Sequence, residues 1–145
     1  MLASPSPTPT APQQSGLWDD VPVTFRYTRA QAIEDGVLVS GNVGDLDEVT
    51  RQCFRYPVAM TYAVFEIMER AVANRRYGND FKGVWYDILW MAKHHILGRT
   101  GSGPEFEFQV KITGAGRRSV YTLKMHIGPG DTPEPVMTIM LPEED

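Results

Sequence analysis

At 145 residues the chain has the length of one domain. Its formal charge is −4, but Glu143, Glu144 and Asp145 hold three of the 18 acidic groups, leaving 15 acidic against 14 basic side chains before them. That near-balance excludes a general basic excess for nucleic acid, and no apolar run nears the ~20 residues of a membrane span.

The first sixteen residues, MLASPSPTPTAPQQSG, are uncharged and rich in Pro, Ser and Thr. They cannot bury enough apolar surface to offset their ordering entropy, so 1–16 is expected to be a disordered tail. Lacking a basic start and an apolar h-region, the tail does not read as a signal peptide. Residues 17–145 are expected to form a single domain, with structure starting near Val23. Cys53 is the only cysteine, which excludes an internal disulfide or a multi-cysteine zinc site and fits a reducing, cytoplasmic setting. As a lone thiol it reads as a small buried hydrophobe.

Thr28-Arg29-Ala30-Gln31 reads as a capping box, and Gly36 suits the left-handed position that closes a helix. TRAQAIEDG is therefore a short helix and VLVS, over 37–40, a short strand. Asp45 or Gly44 is expected to cap a second short helix within GNVGDLDEVTRQCF. Pro57 suits the first turn of the next helix. From Val58 onward, Met60, Val64, Phe65, Ile67, Met68, Ala71 and Val72 share one arc, so the spacing predicts an amphipathic helix ending near Arg75 or Arg76. Glu66 and Arg70 are spaced for a weak surface pair.

The stretch GVWYDILWMAKHHILG, Gly83 to Gly98, concentrates the groups most capable of chemistry. At 3.6 residues per turn, Val84, Trp85, Ile88, Leu89, Met91, Ala92, His95 and Ile96 share an apolar arc. His95 is expected to be a packed core residue there. The other arc holds Lys82, Tyr86, Asp87, Trp90, Lys93, His94 and Leu97, and is less polar than a surface arc should be. Asp87 and His94 share a face but stand two turns apart, about 10 Å, too far for a direct acid–base dyad. Adjacent histidines point about 100° apart and lack the i, i+4 spacing of a helical metal pair. Tyr86, Trp90 and Leu97, with Asp87 and His94, are the candidate binding residues.

Beyond this helix the period changes to two. Phe106, Phe108, Val110 and Ile112 alternate with polar residues, as do Tyr121, Leu123, Met125 and Ile127, and VMTIML is apolar on both faces. GAGRR is a hairpin turn, and Asp131 in GPGD reads as a turn residue. GRTGSGP lacks the Gly-Lys-Ser/Thr ending of a phosphate loop. The class is α+β: N-terminal helices packed on one face of a C-terminal three-stranded antiparallel meander, with the strand at 37–40 as a candidate addition.

The blocks FRYTRAQAIEDGVLV, FRYPVAMTYAVFE, WYDILWMA and YTLKMHIGPGDTPEPVMTIMLPEED resemble an uncharacterised family of small bacterial, plasmid and phage proteins. YTRAQAIEDGVLV and GPGD followed by EPVMTIMLPEED are its marks. The resemblance transfers no catalytic residues; it implies an accessory or anti-defence role beside a mobile element. Here GVLV continues into Ser40-Gly41 and a glycine-rich extension, rather than an acidic residue.

The leading expectation is a non-enzymatic protein-binding module with a protein partner, no cofactor and no bound metal. One alternative is a small metal-dependent hydrolase or nuclease using Asp87 and His94, with His126 or Asp131 joining them in space. The other is a nucleic-acid accessory protein using Arg75, Arg76, Arg117 and Arg118.

Overall fold

A computed structural model describes residues 27–99 and 103–145. The expected tail over 1–16 and the expected start near Val23 lie outside these residues.

Helix α1 (Arg29–Glu34) opens on the anticipated capping box. Gln31 N donates to Thr28 Oγ1 at 3.0 Å and Thr28 N donates to Gln31 Oε1 at 2.9 Å. Gly36, at φ +82°, turns the chain out of α1 and into β1 (Leu38–Ser40). Helix α2 (Gly44–Cys53) follows Val43, which offers no capping side chain; Asp45 lies in the first turn instead of at the cap. Negative charge is favourable there too, because it faces the positive end of the helix dipole.

The largest departure from expectation follows Pro57. Residues 58–61 are not the start of a long helix; they form strand β2 (Val58–Thr61), and helix α3 (Tyr62–Ala73) begins only after it. Pro57 is the acceptor that starts the pairing, its carbonyl taking a hydrogen bond from Met137 N at 2.9 Å. Val58, Ala59 and Met60 are all buried, as expected of a strand covered on both faces. Helix α4 (Phe81–Gly98) comes next, followed by β3 (Glu105–Lys111), β4 (Val120–Pro129) and β5 (Pro135–Met140).

The predicted antiparallel meander β3–β4–β5 forms, but it is three-fifths of a larger mixed sheet ordered β1-β2-β5-β4-β3. Strand β2 runs parallel to β5, and β1 pairs antiparallel with β2 at the edge. Register carries the core: Val58 lies beside Met137, Met60 beside Ile139, Met125 beside Ile139, and Phe106 beside Met125. Against this face pack Val64, Ile67 and Met68 of α3 and Trp85, Ile88 and Leu89 of α4. Cys53 is also in this core, and burial pushes its thiol above the ordinary range.

The second face is not bare. Arg29 of α1 reaches over it, donating from Nη1 to Thr138 Oγ1 at 2.7 Å and from Nη2 to Met137 O at 2.8 Å. At the other side Glu144 Oε1 accepts from Thr61 Oγ1 at 2.7 Å and from Leu141 N at 2.8 Å, while Lys124 Nζ donates to Glu144 O. Lys124 is buried as a result, so the polar face of β4 is partly covered by its own chain. Among the described residues no helix is long and apolar enough to cross a membrane.

Candidate functional site

Helix α4 is set by its ends. Asp80 Oδ1 accepts from Gly83 N at 2.9 Å at the start, and the Arg99 N–H donates to His95 O at 3.0 Å at the finish. Between them, the periodicity divides the helix into two unlike sides. Val84, Trp85, Ile88, Leu89 and Ala92 are buried against α2, α3 and β3. The Trp85 indole N–H donates to Thr50 Oγ1 at 2.8 Å, and that hydroxyl in turn donates to Gly41 O at 2.6 Å. A buried tryptophan needs such a partner, and Thr50 supplies it from α2. Gly41 is required for the approach: a Cβ there would stand 2.5 Å from Trp85 Cζ2.

The opposite side is aromatic and open. Tyr86 is 37 % exposed, Trp90 42 %, Met91 41 % and Leu97 74 %. The Tyr86 and Trp90 rings stack at 5.8 Å, and the His94 ring meets Trp90 edge-on at 4.5 Å. One turn apart each, the three rings form a ladder along the helix. Asp87 is exposed beside it and makes no hydrogen bond or ion pair among the described residues. Partial burial raises its carboxyl above the usual range. Met91, placed by its spacing in the apolar arc, stands at the rim of the buried face and adds to the open one.

His95 corrects the sequence reading. It is exposed, not core, with its ring stacked on Phe106 at 4.8 Å and nearly parallel. The Arg99 guanidinium also lies over Phe106, at 4.9 Å. The last turn of α4 therefore covers an edge of the sheet instead of entering the core.

The residues nominated for hydrolysis are not brought together. Asp87 and His94 point outward from α4, whereas His126 belongs to the sheet face opposite the one that α4 covers, opposite Glu105 and Thr138 in register. Asp131 is engaged elsewhere: Oδ1 accepts from Arg29 N at 2.7 Å and Oδ2 from Ala30 N at 3.0 Å. It caps α1 across a hundred residues of sequence. Burial lowers the affinity of the Arg29 guanidinium for its proton, and the Asp131 charge opposes that. Among the described residues no three His, Cys, Asp or Glu side chains gather as a metal-holding group.

The arginine doublets fare differently. Arg75 and Arg76 lie on the loop between α3 and α4, and Arg117 and Arg118 on the loop between β3 and β4; all four are exposed. Those loops are pinned together. Asn74 Nδ2 donates to Gly114 O at 3.2 Å, Asn79 Nδ2 to Thr113 O at 2.7 Å, and Arg70 Nε to Ala115 O at 2.9 Å. Arg70 is thus spent on the hairpin loop and not on the expected pairing with Glu66. Asn74 and Asn79 were the missed residues here, and two asparagines flanking a predicted helix end were the available signal.

Neither a curated protein nor a solved structure gives a significant match to the chain. A family model does, over residues 16–145, and the chain accordingly belongs to the family of unknown function DUF6573.

Proposed function

We propose that this protein is a non-enzymatic protein-binding module whose contact surface is the open side of α4, with Tyr86, Trp90 and Leu97 as anchors and Asp87 and His94 at the rim. One observation carries the reading: three large apolar side chains, Tyr86, Trp90 and Leu97, stand in a row on the solvent side of a helix whose other side is buried in the core. Exposed apolar surface costs roughly 25 cal/mol per Å², so a contiguous stripe gains by being covered. Tryptophan and tyrosine supply much contact area with few rotors to freeze, which suits an anchor. The setting, an accessory or anti-defence role in the cytoplasm of a bacterium hosting a plasmid or phage, rests on the family resemblance.

The test is an affinity capture from bacterial lysate with the parent chain and with Trp90→Ala as baits. The reading expects a partner held by the parent and lost by the variant, while circular dichroism shows both folded. Identical captures with both baits would refute it.

A second reading has an observation of its own. The pinned loops bring two exposed arginine doublets to one end of the molecule, a placement suited to the phosphates of a nucleic acid. Its mark is an affinity that falls steeply with salt and falls less steeply after Arg117→Ala with Arg118→Ala. The near-balanced charge of the rest of the chain places this reading second.

A further inference from the structure

The five-stranded sheet has two edges of unequal length: β1 with three residues and β3 with seven. A bare edge is a template for another strand, and folds ordinarily blunt it with a proline, a bulge, an inward-pointing charge or a covering loop. Strand β3, EFEFQVK, contains no proline, and its register with β4 runs one to one over its whole length. Its charged side chains share the exposed face, while Phe106, Phe108 and Val110 are buried on the other.

The pairing with β4 decides which backbone groups face outward. Ile112 N donates to Ser119 O at 2.9 Å and Ile127 N to Pro104 O at 2.6 Å, so the even-numbered residues of β3 turn their N–H and C=O groups toward β4. Alternation turns those of Glu105, Glu107, Gln109 and Lys111 outward, and no strand of the described residues pairs with them.

We propose that this edge pairs with the β3 edge of a second copy of the chain, antiparallel, with the two-fold axis at Phe108. The surface is separate from the open side of α4 and uses none of its anchors. A two-fold pairing must set odd-numbered residues against odd-numbered ones, since only they have bonds to exchange across the edge. Centred on Glu107, it would oppose that carboxylate to its own copy. Centred on Gln109, it would leave Glu105 without a counterpart. Centred on Phe108, it engages the whole strand and opposes Glu105 to Lys111 at both ends, with Glu107 against Gln109 between them. Directly opposite residues of an antiparallel pair project from the same face at about 5 Å, so carboxylate and ammonium meet. Glu105 and Lys111 are available for this, because the ion pairs among the described residues join Asp47 to Arg51 and Glu48 to Lys82. The closed two-fold joins the two sheets into one and leaves no free β3 edge. A single strand pair is a small interface, so the dimer is weak and forms as concentration rises.

The experiment is sedimentation equilibrium of the full chain over a concentration series, with amide hydrogen exchange at the two ends of that series. The parent is expected to dimerise reversibly, and exchange at Glu107, Gln109 and Lys111 should slow as the dimer forms. Gln109→Pro removes an outward N–H that the fold itself does not use, so the chain should stay folded by circular dichroism and lose self-association. Glu105→Lys and Lys111→Glu each set like charges opposite at both ends and should weaken the dimer about tenfold. An equimolar mixture of those two variants should associate again, because each facing pair is then opposite in sign. A parent that stays monomeric, a dimer indifferent to the charge reversals, or a mixture that fails to associate each overturns the proposal. So does a dimer that survives Gln109→Pro or forms without slowing exchange along β3.

Discussion

The two tryptophans of α4 stand five residues apart and face opposite ways, so replacing each by alanine separates core from surface within a single helix. Trp85 has no exposed area and holds a hydrogen bond to Thr50 Oγ1. Losing a packed indole typically costs 3–5 kcal/mol, set by the cavity left in the core. Thr50 is not orphaned by the change, since its hydroxyl keeps Gly41 O as acceptor, so no extra desolvation penalty is added. Trp90 is 42 % exposed and its ring partners are Tyr86 and His94 on the same helix. Removing those contacts costs about 0.5–1.5 kcal/mol, offset by up to ~0.7 kcal/mol from the better helix propensity of alanine. The expected losses are therefore about 4 kcal/mol for Trp85→Ala and less than about 1 kcal/mol for Trp90→Ala. At about 4 °C per kcal/mol for a domain of this size, that is a fall in Tm of roughly 16 °C against at most 4 °C. Urea unfolding followed by circular dichroism measures both without relying on the indole fluorescence that the substitutions alter. A loss above about 2 kcal/mol for Trp90→Ala would show that ring to be packed and would remove the anchor of the contact surface. A loss below about 1 kcal/mol for Trp85→Ala would contradict its place in the core.

Gly41→Ala should destabilise by about 1–3 kcal/mol, because the added Cβ meets both the Trp85 ring and the Val58 carbonyl, and the carbonyl is backbone that cannot rotate away. The urea midpoint should fall with an unchanged slope, and a neutral result would mean that β1 and α4 sit further apart than described. Asp131→Ala should cost about 1–2 kcal/mol by leaving the Arg29 and Ala30 N–H groups without their acceptor and the helix start without its negative charge. Asp131→Asn, which keeps an acceptor oxygen, should cost less. Amide hydrogen exchange should quicken first in α1; uniform quickening across the sheet would show that the cap does more than hold that helix.

How much of this was legible depended on whether a residue's role was local. Strands β3 and β4 alternate because each buries one face over a long run, and Phe106 to Ile112 therefore announce themselves. The Thr28 capping box is equally local, closing within four residues. Strand β2 is the opposite case. Three apolar residues and a threonine between Pro57 and a true helix carry no period of their own, and Val58, Met60 and Val64 fit a helical arc as well as a strand. What makes them a strand is β5, a parallel partner nearly eighty residues away that no turn announces. For α4 the wheel correctly set Trp85 apart from Trp90, yet it could not say where the sheet ends, and His95 stands just beyond that edge on Phe106.

The family's two marks, near either end of the chain, also become intelligible only in space. YTRAQ contributes Arg29 and the first amides of α1; GPGD contributes Asp131, and the strand after it contributes Thr138 and the Met137 carbonyl. These groups bind one another. Gly130 belongs to the same junction, where a Cβ would press to 2.9 Å from Val136 Cγ1. The most recognisable residues of the chain are thus consumed in fastening α1 to the sheet, and Asp131, which looks like chemistry in isolation, has both carboxylate oxygens occupied by backbone N–H groups. A surface free to act must lie where side chains are large and unsatisfied by their own fold. On that criterion the middle of the chain, from Tyr86 to Leu97, is the place to look, because there the helix satisfies its core with one side and leaves exposed aromatic rings on the other.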